Sequence, residues 1–179
     1  MSQMHYFYRL YSNATLYHNR LLKLKKTDNI MSKTIVFNSD NKPTLTEKTN
    51  IINFLFENLQ EYGDPASDIE KAIDYALQEG TSSFGGFVLV AYKDDIIVGA
   101  VVINQTGMKD YIPENILVYI ATHRKHRGKG LGKKLVKEAI NISEGNIALH
   151  VEPNNPAKHL YEKLGFSNKY LEMRFNKKK

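Results

Sequence analysis

The spacing of apolar residues changes period several times along this chain, and each change marks an element. The β-branched run KTIVF at 33–37 predicts a short strand. Ile51, Ile52, Leu55, Phe56 and Leu59 then recur at helical spacing within 46–63, and the pattern stops at Gly63. A second helix is expected over 66–80, where Ser67 and Glu70 stand at capping-box spacing and Gly80 is the stop. Residues 85–107 read as two strands broken at Asp94–Asp95, a hairpin signal. ENILVYIATH (114–123) is almost continuously apolar, as a central strand covered on both faces would be. A helix is expected over 132–143 and a strand over 146–152. The next helix, over 154–165, has Asn155 to cap it, Pro156 in its first turn and Gly165 at its end. A strand over 168–175 closes the pattern. From Met31 the order is β-α-α-β-β-β-α-β-α-β. Hairpins in the middle and helical crossovers later predict an α/β (α+β) mixed sheet with helices on both faces.

Composition narrows the chemistry more than the fold. The 179 residues suit one domain, and there is no Cys, which removes disulfides, thiolate metal sites and a Cys nucleophile. The net charge of +6 is unevenly placed. Residues 1–30 carry Arg9, Arg20, Lys23, Lys25 and Lys26 against Asp28 alone, so the rest is close to neutral and a general polyanion-binding role loses support. A second Met-Ser at Met31–Ser32 directly precedes the first strand pattern. The expected organisation is therefore an N-terminal extension at 1–30 and a folded domain at 31–179. No stretch approaches a membrane span and none reads as a secretory signal, so a cytoplasmic protein without a membrane partner is expected.

One stretch asks for a ligand. HRKHRGKGLGKKL (123–135) holds six Lys or Arg, two His, three Gly and no acid, between the apolar strand and a helix. The first N–H groups of a helix are unpaired and its dipole is positive there. Gly128, Gly130 and Gly132 leave those groups bare, and Arg127, Lys129, Lys133 and Lys134 add countercharge. That is the chemistry of a phosphate cradle. Neither a P-loop nor a G-x-G-x-x-G fingerprint fits, because Lys133 stands where each pattern, counted from Gly128, needs Gly.

The pattern that does fit is R-x-x-G-x-G at Arg127, Gly130 and Gly132. It resembles the acetyl-CoA-binding motif of the GNAT N-acetyltransferase superfamily. NNPAKHLYEKLGF downstream resembles the same family's N-x-x-A-x-x-L-Y-x-K-x-G-F signature, through Asn154, Ala157, Leu160, Tyr161, Lys163, Gly165 and Phe166. The resemblance spans about residues 33–176 and implies a GNAT-like acyl-CoA N-acyltransferase fold with a mostly antiparallel mixed sheet. It implies that Arg127, Gly128, Lys129, Gly130, Leu131, Gly132 and Lys133 surround the pyrophosphate, chiefly through backbone N–H groups. It implies further that Ile120, Ala121 and Thr122 pair with the pantetheine arm, and that Asn154, Ala157 and Tyr161 complete the cofactor site.

The reaction implied is transfer of an acetyl group from acetyl-CoA, without a metal, to a primary amine of a small molecule or peptide. Tyr161 would be the general acid. A phenol of pKa near ~10 stays protonated where a thiol of pKa near ~8.5 must leave. Tyr161 also lies on an apolar helical stripe with Ala157, Leu160 and Leu164, where core packing alone would account for it. Glu114 is the first candidate for a base and Glu152 the second. Glu152 and the acids Glu57, Glu61 and Asp64 of the helical region favour a cationic acceptor. The alternative reading is a non-catalytic protein that binds or senses CoA. The low charge outside residues 1–30 argues against nucleic acid as a partner, and the assembly expected is a monomer or homodimer.

Overall fold

The computed structural model describes residues 31–80 and 82–177; the expected extension at 1–30 lies outside them. The chain forms β1 (Lys33–Phe37), α1 (Leu45–Leu59), a 3₁₀ turn (Gln60–Tyr62), α2 (Ala66–Leu77), β2 (Gly86–Lys93) and β3 (Ile96–Gln105). It continues through β4 (Asn115–Thr122), a second 3₁₀ turn (Arg124–His126), α3 (Leu131–Ile142), β5 (Ile147–Leu149) and α4 (Lys158–Lys163). The five strands lie in sequence order in one sheet. β1 to β4 are antiparallel and β5 joins β4 in parallel, so the sheet is mixed, as the pattern predicts, and mostly antiparallel, as the resemblance implies.

Strand alternation divides the core. Val88, Val90 and Tyr92 of β2 meet Ile51, Phe54 and Leu55 of α1 and Ile69, Ile73 and Leu77 of α2 on one face. Phe87, Leu89 and Ala91 meet Leu131, Leu135 and Ala139 of α3 on the other. Burial of each large side chain contributes about 1.5–3 kcal/mol. α3 comes unusually close to the sheet at Gly99, where a Cβ would stand 2.5 Å from Leu135 Cδ1. The β2–β3 hairpin turns at Asp94 and Asp95, both at positive φ (51° and 60°), as the two-residue turn requires.

Several local expectations fail for identifiable reasons. The capping box belongs to α1, where Thr44 and Glu47 bond reciprocally, and not to Ser67 and Glu70. α2 instead starts at Pro65, whose fixed φ already suits a helix entry. It stops at Gln78, in the left-handed region, two residues before Gly80. The strand expected over 146–152 pairs only at 147–149, and the helix expected over 154–165 is regular only at 158–163. The strand expected over 168–175 does not form. Three-residue β5 offers too few ladder groups to hold a neighbour, and Leu171, Met173 and Phe175 stay exposed.

Candidate active site

The site begins as a fault in the sheet. β4 pairs with β3 through Thr122, yet with β5 only from Asn115 to Leu117. Between the β3 partners Val102 and Ile103 the register jumps from Tyr119 to Leu117, which leaves Val118 as a bulge. A bulge bends its strand. Past it, the edge of β4 that faced β5 has no strand beside it, while β5 ends at Leu149. Ile120 packs toward α3, and Ala121 toward α1 and α2. The backbone is therefore what residues 120–122 offer to the gap.

β4 leads through the second 3₁₀ turn into the glycine loop. Gly128 and Gly130 have φ of 71° and 85°, and a Cβ on either would meet nothing within 4 Å. Both positions are thus open and conformationally reserved for glycine. The amides of Gly128, Lys129, Gly130, Leu131, Gly132 and Lys133 donate to no described acceptor, and the first bond of the helix is Lys134 N–H to Gly130 O (3.1 Å). Leu131 is buried, so only its amide belongs to this surface. Gly132 lies under α4, with Leu160 Cδ2 3.3 Å from where its Cβ would be. Burial and the cations of Lys129, Lys93 and Lys125 hold His126 below the usual imidazole range.

Arg127, expected as phosphate countercharge, has protein partners of its own. Its guanidinium donates to Asn58 O (2.7 Å), Gln60 Oε1 (3.0 Å) and Thr122 O (3.3 Å). It therefore ties the end of α1 to the end of β4. Arg127→Ala is expected to cost about 1–2 kcal/mol, lowering Tm by about 3–6 °C. Lys should not rescue it, since one ammonium cannot span three acceptors. A thermal melt of the two variants checks this.

Tyr161 is buried on α4, edge-on to Phe166 at 5.8 Å between ring centroids. Its hydroxyl bonds to no described residue, and burial pushes its pKa up to about 12. Ala157 sits just before α4, its N–H taken by Asn155 Oδ1 (2.9 Å). The capping oxygen is thus that of Asn155, while the side chain of Asn154 is exposed and free of described partners.

Glu114 lies at the opposite end of β4. One carboxylate oxygen accepts the Asn146 N–H (2.7 Å) and the other the Asp110 N–H (3.4 Å). These bonds, led by that of Asn146, hold its pKa below the usual carboxylate range. The carboxyl packs on Gly145, where a Cβ would come within 2.7 Å. Such a group contributes stability above its unfolded pKa and loses it as pH falls through the lowered folded value. Glu114→Gln is expected to lower Tm at pH 7 more than at pH 4 and to leave kcat nearly unchanged. A base would lose about 10²-fold or more in kcat.

The sequence pattern passed over Tyr119. Its ring is in the core, and its hydroxyl donates to Asp64 Oδ2 (2.6 Å) in the loop between α1 and α2. Burial, then the bond to Asp64, raises its pKa well above the ordinary phenol value. A polar tip inside a nearly continuous apolar strand was the available signal. A cleft of about 620 Å³ lies elsewhere, between α1 and the β2–β3 hairpin; it includes Phe54, Glu57, Tyr92 and His123, and neither Tyr161 nor the glycine loop lines it. Among the described residues no helix is long and apolar enough to cross a membrane.

Comparison with known proteins agrees with this architecture. An aminoglycoside 6'-N-acetyltransferase from Acinetobacter haemolyticus superposes with a TM-score of 0.58 at 16% identity, over 82% of this chain and 99% of its own. Arabidopsis thaliana Naa50, in complex with the bisubstrate analogue CoA-Ac-MVNAL, gives 0.56 at 18% identity, over 76% and 84%. A transcriptional regulator from Bacillus halodurans gives 0.57 at 19%, over 80% and 99%. At these identities the likeness is one of fold. A family model described as an acetyltransferase (GNAT) domain matches residues 84–168, which run from the start of β2 past both motifs. The bulged β4, the bare glycine loop and the helix that carries Tyr161 all lie inside that span, so residues 84–168 of this chain match a GNAT acetyltransferase domain.

Proposed function

We propose that this protein is an acetyl-CoA-dependent N-acetyltransferase whose acceptor is a primary amine of a small molecule or peptide. The observation that carries the reading is the run of six amides without acceptors, Gly128–Lys133, at the end of a strand whose edge is also unpaired. The first N–H groups of a helix have no partner within it and are open to an anion. Here the glycines that bear them have no Cβ to block access, which fits a diphosphate. The free edge of β4 fits an extended amide chain added as though it were a strand. The neighbours whose names mention an aminoglycoside 6'-N-acetyltransferase and a CoA-peptide analogue support the same class of reaction.

Acetyl-CoA, when bound, supplies an activated thioester. The residues of this chain do the rest. Amides 128–133 hold the diphosphate, with Lys129 and Lys133 as nearby countercharge. The backbone of Ile120, Ala121 and Thr122 aligns the pantetheine arm. Asn154 and Ala157 border the gap from the α4 side. Tyr161 keeps its proton at neutral pH, delivers it to the departing sulfur and is reprotonated by the proton that the attacking nitrogen sheds. Glu114, both of whose oxygens are engaged, fastens the start of β4. The acceptor, mostly ammonium at pH 7, loses its proton to water reached through the gap.

Isothermal titration with CoA and a thiol-release assay with acetyl-CoA over a panel of amines and peptides test this. Binding together with amine-dependent release is expected. CoA binding with no release for any amine would leave only a sensor, and absence of CoA binding would remove the proposal.

A further inference from the structure

We infer that the cleft between α1 and the β2–β3 hairpin is a second ligand site, shaped for a linear aliphatic dication of the long diamine or polyamine class and separate from the site of acetyl transfer. The inference does not depend on the acetyltransferase reading. The cleft holds about 620 Å³, within the range of small-molecule sites, and neither Tyr161 nor the glycine loop lines it.

Its two walls differ in chemistry. One is a stripe of α1, where Glu47, Asn50, Phe54 and Glu57 follow at steps of three and four residues and so share a face. The other comes from the strands, with Ile35 of β1, Tyr92 of β2 and Ile97 of β3. Glu47 and Glu57 are ten residues apart on the helix, about 15 Å along its axis. Phe54 stands between them, and the facing wall adds Ile35 and Ile97. The slot therefore has a carboxylate toward each end and apolar surface in the middle.

Tyr92 points to a ligand independently of the acids. It is 9% exposed and lines the cleft, yet its hydroxyl has no hydrogen-bond partner among the described residues. Burial, then the charge of Glu47, raises its pKa, so the Glu47 carboxylate acts on this phenol from the opposite wall. A phenol oxygen and a carboxylate converging in this way are both acceptors, and their complement is an ammonium. The chain already sets one cation on this ring: Lys33 Nζ lies 5.2 Å from its centroid.

The charges of the lining leave room for two more. Three carboxylates face one ammonium, and that ammonium, Lys33, is paired with Asp95 (3.3 Å). Glu47 receives the Thr44 N–H (2.8 Å) and hydroxyl (2.7 Å) on one oxygen only. The Glu57 side chain has neither ion pair nor hydrogen bond among the described residues. Two open anions at the ends of an apolar slot select two cations joined by an apolar chain.

Titration calorimetry of the full chain with 1,10-diaminodecane, 1,3-diaminopropane and 10-aminodecanoate tests this. The long diamine can reach both carboxylates. The short one reaches only one, and the amino acid sets its own carboxylate against the other. The long diamine should bind about tenfold tighter than either, or better. Glu47→Gln and Glu57→Gln should each weaken it by about tenfold. A glutamine at position 47 still completes the capping box, so α1 is not undermined. Tyr92→Phe should weaken it about fivefold, the worth of one hydrogen bond. Glu61→Gln, which alters an acid outside the cleft, should change nothing. No binding of the long diamine by the wild type, equal binding of the three compounds, tight binding that survives Glu47→Gln and Glu57→Gln together, or as large a loss from Glu61→Gln would each overturn the inference.

Discussion

Tyr161→Phe is expected to lower kcat by about 10²–10⁴-fold while CoA affinity stays as it was. The substitution removes one oxygen from a ring that is otherwise packed against Phe166. That oxygen makes no bond to any described residue, so its loss leaves no buried group stranded and should not destabilise the fold. Burial has pushed the hydroxyl up to about 12, so it is protonated throughout the neutral and mildly alkaline range. The wild-type kcat should therefore show an alkaline fall from this group only as pH nears that value, and the variant should lack it. Pre-steady-state transfer and CoA titration on the same protein check both halves. A variant with undiminished kcat would return Tyr161 to a packing role, which its place on an apolar stripe would also explain.

The second large effect is expected at the glycine loop. Gly130→Val should weaken CoA binding by about 100-fold or more, with only a small fall in Tm. Two causes add. A β-branched side chain at φ 85° is strained by about 1–3 kcal/mol, which the loop relieves by moving. Movement misaims neighbouring amides, and each lost amide–phosphate bond costs about 1.5–3 kcal/mol. At about 1.4 kcal/mol per tenfold, two such bonds suffice. The fold should tolerate the change because nothing packs where the new Cβ would stand. Calorimetric titration beside a thermal melt reads the two quantities separately, and unchanged affinity would mean that these amides do not hold the cofactor.

Where sequence and structure agree, short-range physics was sufficient. The glycine loop was legible because its demand is local: bare amides, positive φ and cations within a few residues. The hairpin at Asp94–Asp95 and the stripe of α3 were legible for the same reason, since turn chemistry and helical period act over a few residues. The end of α2 was not, because Gln78 adopts the left-handed conformation that Gly80 suggested for itself. The partners of the Arg127 guanidinium were not legible either. Beside glycines and lysines a guanidinium reads as countercharge, and only the arrival of α1 beside β4 gives it carbonyls to grip.

By itself the sequence determined the order of elements as far as the last helix, the two-faced sheet and the place of the glycine turn, because period and glycine placement act through neighbours a few residues apart. The tertiary structure alone decided that β4 and β5 separate after Leu117, that the segment at 168–175 finds no strand to join, and that Asp64 meets Tyr119. Each of those depends on residues tens of positions apart competing for one ladder edge or one hydrogen bond, and no local pattern records which of them wins.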